Sequence, residues 1–192
     1  MDTVAQHFTL QGVSDFDSLV RQHRPRVFRF LLASVRDREV AENLTQDCFI
    51  RAYKARAGFR GDASGATWLM QIAANLARDH HGSSRLKFWR RTVNSGVDVA
   101  DLSDWIPDKQ RSPEAEAAAK EQVRAVWSAA QSLSERQRTV FLLRFVEDME
   151  LLEIAAVTGM KEGTVKAHLF RALNAVRAEL SHDLPSAQEK KQ

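Results

Sequence analysis

Between Glu150 and Leu180 the chain sets a small residue, cations, an amide and an aromatic at helical intervals. At 100° per residue, Lys166, Ala167, Phe170, Arg171, Asn174 and Arg177 share one side. Val165, Leu169, Ala172, Leu173, Val176 and Leu180 fall on the opposite, narrow sector. The first group carries what a DNA major groove requires. A guanidinium can fork onto guanine, an ammonium can reach guanine or phosphate, and a phenyl ring can touch a thymine methyl. Base contacts concentrate at the N-terminal part of such a helix, which favours Lys166 and Arg171 and leaves Arg177 equally suited to plain solvation.

That helix needs a partner to hold it across the groove. Leu151, Ile154, Ala155 and Val157 predict a short preceding helix, closed at Thr158 and Gly159, and a second helix starts after Glu162 and Gly163. This is a helix-turn-helix layout, with Gly159 supplying the left-handed residue of the tight turn. Upstream, Ser134 and Gln137 form a capping box for a helix containing Val140, Phe141, Leu143 and Val146. Pro113 suits the first turn of a helix running through Val123, Val126, Trp127 and Ala130.

The N-terminal half is also helical by periodicity. Ser14 caps a helix whose apolar positions include Phe16, Leu19, Val20, Val27, Phe30 and Leu31, and Pro25 predicts a kink or a break near Gln22. A second helix spans roughly 38 to 57, with Val40, Ala41, Leu44, Cys48, Phe49 and Ala52 on its apolar stripe, and Gly58 ends it. Residues 61 to 65 read as a loop. From Thr67 to Asp79 the pattern resumes through Trp68, Leu69, Ile72, Ala73 and Leu76, and Trp68 is expected to anchor the core. Between Gly82 and Pro113 the periodicity fails, although Trp89, Trp105 and Ile106 suggest that parts of this stretch dock on something. No strand-like alternation of any length occurs.

The bulk properties narrow the function classes. The 192 residues are 44% hydrophobic and 28% charged, with eight Gly and four Pro, which suits a helical protein with a packed core. One cysteine excludes an internal disulfide and a Cys-rich zinc module, and Cys48 lies on an apolar stripe rather than beside a base. Adjacent His80 and His81 project apart on a helix, so no metal or other cofactor is expected. No signal-like start and no membrane-length apolar run is visible, and a cytoplasmic location is expected. The net charge of +3 is unevenly spread: residues 1–91 carry +6, residues 92–133 carry −3 and residues 134–192 are neutral. The first section is therefore the candidate polyanion surface.

The stretch LSERQRTVFLLRFVEDMELLEIAAVTGMKEGTVKAHLFRALNAVRAEL resembles region four of extracytoplasmic-function sigma factors, which reads the promoter −35 element. DREVAENLTQDCFIRAY resembles the region-two helix that grips the β′ clamp helices of RNA polymerase. FRGDASGATWLMQIAANLARD resembles the part that melts and reads the −10 element. The resemblance implies an all-α chain of two small domains joined by a flexible linker: region two over 14–91, linker 92–113, region four with its helix-turn-helix over 114–182, and a disordered tail over 183–192. It implies a non-catalytic factor directing core polymerase to promoters, with the β′ clamp helices, the β flap, promoter DNA and an anti-sigma factor as partners.

Site residues follow position by position. Thr164, Lys166, Ala167, His168, Phe170, Arg171 and Asn174 would face the −35 element. Reading the −10 element requires an unstacked, flipped base and a surface that favours single strands. Arg60, Asp62, Ser64, Asn75, Arg78 and Asp79 would serve there, with Arg85, Lys87, Arg90 and Arg91 tracking phosphates. Glu42, Asn43, Gln46 and Asp47 would meet the polymerase, acidic groups setting register against a basic partner helix. The chain departs from the family at Asn43, where an aspartate is usual, and at Gly65 and Ala66, where aromatic and basic residues are usual. Two other classes compete. Thr164, Val165, Lys166 and His168 also resemble the reading helix of LuxR-type regulators, and a helical metal or redox enzyme could use Cys48 with the histidines. No alternating strands and helices with an acidic pocket support the former.

Overall fold

Apolar positions spaced three and four apart run from Phe16 to Ala33, and they wind into α1, Val13–Val35. Pro25 lies inside α1 without ending it. Of the expected alternatives near Gln22, kink or break, the break is thus excluded: the helix runs on through Pro25. Pro25 is on the exposed side, where the carbonyl it leaves unbonded can reach water. In this computed structural model the described residues are 13–59, 63–82, 121 and 125–183. Arg60 and Asp62, the cations at 85–91, the linker 92–113 with Trp105 and Ile106, and nearly all of the expected tail lie outside them.

Arg36 stands in the left-handed region, φ 60°, and turns the chain into α2, Arg38–Ala55. Asp37 caps α2 by accepting from the Val40 amide at 3.0 Å. A single 3₁₀ turn, Arg56–Gly58, follows. Ser64 then accepts from the Thr67 amide at 3.1 Å, opening α3, Gly65–Gly82. This helix begins two residues before the expected Thr67. Gly65 is buried, and a Cβ there would lie 2.8 Å from Leu19 Cδ1. That close approach of α1 and α3 leaves no room for a Cβ at position 65 unless the Leu19 side chain shifts. Helices α1, α2 and α3 pack on one another around Phe30, Leu31, Cys48, Leu69, Met70 and Ala73, none more than 0% exposed.

The C-terminal helices are α4, Glu135–Phe145, α5, Leu151–Thr158, and α6, Glu162–Asp183. The Ser134 and Gln137 capping box is present, with side chain and backbone exchanging hydrogen bonds of 3.5 and 3.0 Å. Glu150 and Glu153 form another at the start of α5. Gly159 closes α5 with φ 69°, as the tight turn demands. Val165, Ala172 and Val176 of α6 are buried against Val140, Leu142, Leu143, Ile154 and Val157. The described residues contain no strand.

The two helical units are not held apart. α3 packs along α5 and touches α4, and α1 meets α4. Arg26 on α1 donates Nε to Glu147 Oε2 at 2.6 Å and Nη2 to the Glu147 carbonyl at 2.7 Å. Arg36 donates to the Trp127 carbonyl at 2.9 Å. Nothing in the periodicity of either half anticipates these contacts, because they join residues 121 and 91 positions apart.

Candidate nucleic-acid interface

The inner stripe of α6 fixes which of its side chains reach solvent. With Val165, Ala172 and Val176 buried and Leu169 and Leu173 partly so, Thr164, Lys166, Phe170, Arg171 and Asn174 are exposed. Phe170 keeps 66% of its surface open, an exposure that water penalises and that contact with a thymine methyl would relieve. Lys166 Nζ is engaged with Glu162 Oε1 at 2.6 Å, one turn back on the same helix. Ala167 and His168 are only partly exposed. His168 Nδ1 is buried with no hydrogen-bond partner. Burial, helped by the charges of Arg171 and Arg136, lowers its pKa and favours the neutral imidazole. His168 thus stands at the inner margin of the outer face, not at its centre with Arg171.

Around α3 the structure brings together part of the expected −10 group. Asn75 and Arg78 line one cleft of about 250 Å³, facing Glu135, Arg136 and Thr139 of α4 and Thr158, Gly159 and Met160 at the end of α5. Asp79 is exposed and lies 4.0 Å from Arg78. Ser64 is spent on capping α3 and on a 2.9 Å hydrogen bond with Thr67 Oγ1, so its hydroxyl organises the loop. Trp68 is partly buried against the core, as its stripe predicts, and its ring also lies 4.7 Å from that of Phe59.

On α2, Ala41, Thr45, Cys48, Phe49 and Ala52 turn inward. That leaves Glu42, Asn43, Gln46 and Asp47 exposed on the other side, continued by Ile50 at 51% exposure. Glu42 pairs with Arg38 at 3.3 Å. Ile50 was not among the expected contact residues. The signal that could have found it is its spacing, four and three positions beyond Gln46 and Asp47 on the same polar face. His81 is hydrogen-bonded through Nε2 to the Ser34 carbonyl at 3.2 Å, an ordinary structural use of an imidazole.

Comparison with known proteins gives two family matches, Sigma-70 region 2 over residues 19–87 and Sigma-70 region 4 over residues 124–176. The chain is 33% identical to the RNA polymerase sigma-H factor of Pseudomonas aeruginosa over 165 residues, covering 84% of this chain and 83% of that one. It is 30% identical to the ECF RNA polymerase sigma-E factor of Escherichia coli K12, covering 84% of each. This chain belongs to the extracytoplasmic-function sigma factors of the sigma-70 family.

Among solved structures, the sigma factor superposes on CnrH in complex with the cytosolic domain of CnrY with a TM-score of 0.65, over 94% of this chain and 96% of that one, at 22% identity. The Bartonella quintana sigma factor RpoE, in complex with the anti-sigma factor NepR, gives 0.58 over 90% and 100%, also at 22% identity. These likenesses establish the fold. With region 2 matched through α1 to α3, the alternative of a LuxR-like regulator with an unusual helical N-terminal domain is set aside. Among the described residues of the sigma factor no helix is long and apolar enough to cross a membrane.

Sequence reasoning missed the Arg26 and Glu147 pair altogether. Among the described residues Glu147 is the one buried charged residue, with a side chain 1% exposed, while Arg26 retains 29%. Burial pushes the Glu147 carboxyl up. The hydrogen bond from Arg26 and the charges of Arg26 and Arg29 pull it back only in part. Its second oxygen, Oε1, has no hydrogen-bond partner, which explains why burial prevails.

Proposed function

We propose that this sigma factor carries core RNA polymerase to a set of promoters. In this reading the outer face of α6 reads the −35 element, and α3 with the loop before it opens and reads the −10 element. The β′ clamp helices grip α2 at Glu42, Asn43, Gln46 and Asp47, and the β flap meets the C-terminal unit. The protein acts by binding, with no catalytic step of its own, in the cytoplasm. The bounds proposed for its parts are 14–91, 92–113 and 114–182. The observation that carries the reading is the two-sided character of α6. One side locks into the core through Val165, Ala172 and Val176, and the other leaves Phe170, Arg171 and Asn174 in solvent without an internal use.

Control by an anti-sigma factor belongs to the same proposal. The Bartonella RpoE is solved with the anti-sigma factor NepR, and we extend control by a partner of that kind to this chain. The test is run-off transcription and co-elution with purified core polymerase. The chain should confer defined start sites that core polymerase alone lacks. Asp47→Arg with Gln46→Ala should reduce co-elution while helical circular dichroism is unchanged, because like charge against a basic partner helix is repulsive. Unimpaired co-elution of that variant removes the assignment of α2, and absence of promoter-specific transcripts removes the function.

A further inference from the structure

Positions four apart on the outer side of α6 draw one line along the helix: Glu162, Lys166, Phe170 and Asn174. Three of them carry groups suited to a major groove. Glu162, the first residue of α6, carries a carboxylate, whose charge opposes general attraction to DNA. Its side chain keeps 40% of its surface in solvent, and its Oε1 lies 2.6 Å from Lys166 Nζ. Helix stability gives Glu162 an ordinary use, since a carboxylate suits a first turn and pairs with a lysine one turn on. That use does not account for the residue beside it.

Gly163 follows directly. A Cβ there would meet nothing within 4 Å, and its φ is not positive, so neither packing nor backbone geometry requires a glycine. Glycine within a helix is also destabilising relative to alanine. What the missing side chain does leave is clearance on the exposed side of the first turn, where an external surface can approach the backbone closely. Acceptor and clearance thus lie side by side at the end of a recognition helix that meets base edges.

The major groove gives this combination a chemical meaning. A carboxylate accepts hydrogen bonds and donates none. Cytosine shows an amino donor there and no acceptor, whereas guanine and thymine present acceptors and adenine sets an acceptor nitrogen beside its donor. Lys166 is the complement, a donor suited to guanine O6 and N7. The Glu162 and Lys166 ion pair, acceptor beside donor, is therefore matched by a C·G pair, donor beside acceptors. On meeting it, each side chain exchanges its neighbour on the helix for a base edge.

We propose that Glu162 is a specificity-determining residue of α6, selecting cytosine at one position of the −35 element, with Lys166 on the paired guanine, by rejecting bases that turn acceptors toward it. The proposal rests on the reading of α6 as the −35 helix. Specificity of this kind comes from penalising wrong sequences, so the carboxylate weakens binding to all DNA and least to the preferred pair.

The experiment uses the full chain with purified core polymerase and a promoter recovered by run-off transcription, its −35 element randomised, and sequences the DNA retained in complexes. The parent should retain cytosine at one position several-fold over each other base. Glu162→Gln, whose amide donates as well as accepts, should flatten that position alone, raising retention of non-preferred duplexes several-fold and of the preferred one slightly. Glu162→Arg should move the preference there from cytosine to guanine on the same strand, a change that no loss of helix stability produces. An unchanged profile in Glu162→Gln, equal tightening on every sequence, flattening across the whole element, or cytosine still preferred in Glu162→Arg overturns the proposal. If Glu162→Arg loses its helical circular dichroism, Glu162→Gln decides alone. A parent profile that Arg171→Ala alters and Glu162→Gln does not removes the role of Glu162 and leaves the −35 reading standing. A parent with no base preference in the element overturns both.

Discussion

Lys166 Nζ sits 2.6 Å from Glu162 Oε1, one helical turn apart at the start of α6, so a cation proposed to enter a major groove is held by its own helix. Both side chains are well exposed, and such a pair is worth only about 0.3–0.5 kcal/mol, less than a good base contact at about 1–3 kcal/mol. DNA can therefore take Lys166 from Glu162 at small cost.

From this balance, Lys166→Ala and Arg171→Ala should each weaken binding to a cognate −35 duplex by about 1–3 kcal/mol, with core-polymerase binding intact. Glu162→Gln should tighten DNA binding slightly, because it frees Lys166 and removes a negative charge near phosphate. Fluorescence anisotropy on cognate and scrambled duplexes separates base contacts, which change preference, from phosphate contacts, which change all sequences alike. No change in affinity or preference from either alanine variant would remove the recognition role of α6.

Gly159 closes α5 with φ 69°, and no atom would crowd an added Cβ there. The cost of Gly159→Ala is therefore backbone strain alone, about 1–2 kcal/mol. Gly159→Asn should cost less, because its side chain tolerates the left-handed region. Urea denaturation followed by circular dichroism measures both. Equal stability of Gly159→Ala and the parent would mean that the turn relaxes out of the left-handed conformation.

Cys48 is 0% exposed, its Sγ lies 3.6 Å from the Leu69 carbonyl, and burial pushes its thiol up to about 12. At about pH 8 almost none of it is thiolate, so alkylation by iodoacetamide should be very slow in the native protein and rapid in guanidinium chloride. Fast native labelling, followed by mass spectrometry, would show that α2 and α3 separate readily. The result also decides the redox-enzyme alternative, since a working thiol must be accessible and ionised.

Glu147 gives the contact between the units a pH dependence. Its carboxyl is raised from 4.5 by burial, against the hydrogen bond from Arg26 and the charges of Arg26 and Arg29. Arg144, nearer in sequence, is engaged with Asp148 and Glu150 at 3.6 and 3.4 Å. A raised carboxyl means that the closed form binds the proton more tightly than the open one. The closed form should gain population as pH falls from neutrality toward 4.5, and lose that gain as pH rises through the raised value. Donor and acceptor dyes on Gln22→Cys and Ala156→Cys, both exposed positions, in a Cys48→Ala background read this directly. Glu147→Gln should flatten the profile, and an unchanged profile in that variant would assign the dependence to other groups.

Much of this architecture follows from local rules that a single helix obeys. The stripe of Val165, Ala172 and Val176, the Ser134 and Gln137 box and the left-handed Gly159 each depend on residues within a turn or two of one another. Periodicity, capping and glycine placement therefore made them legible before any coordinates. Pro25 left a break in α1 open for a local reason, because its cost depends on whether the freed carbonyl meets water, and that depends on the packing of α1.

The outer faces of α6 and α2 were readable as complements of their buried stripes, and the Glu162 and Lys166 pair, four positions apart on one helix, obeys the same local rule, although the inward margin of His168 was not readable. The arrangement of the two units was decided only by tertiary structure. Arg26 and Glu147 are 121 positions apart. Neither lies in a pattern that distinguishes a buried pair from two solvated charges. A pairwise contact at that separation has no period to betray it, and the loss of water that strengthens its attraction while costing desolvation is imposed only by the assembled fold.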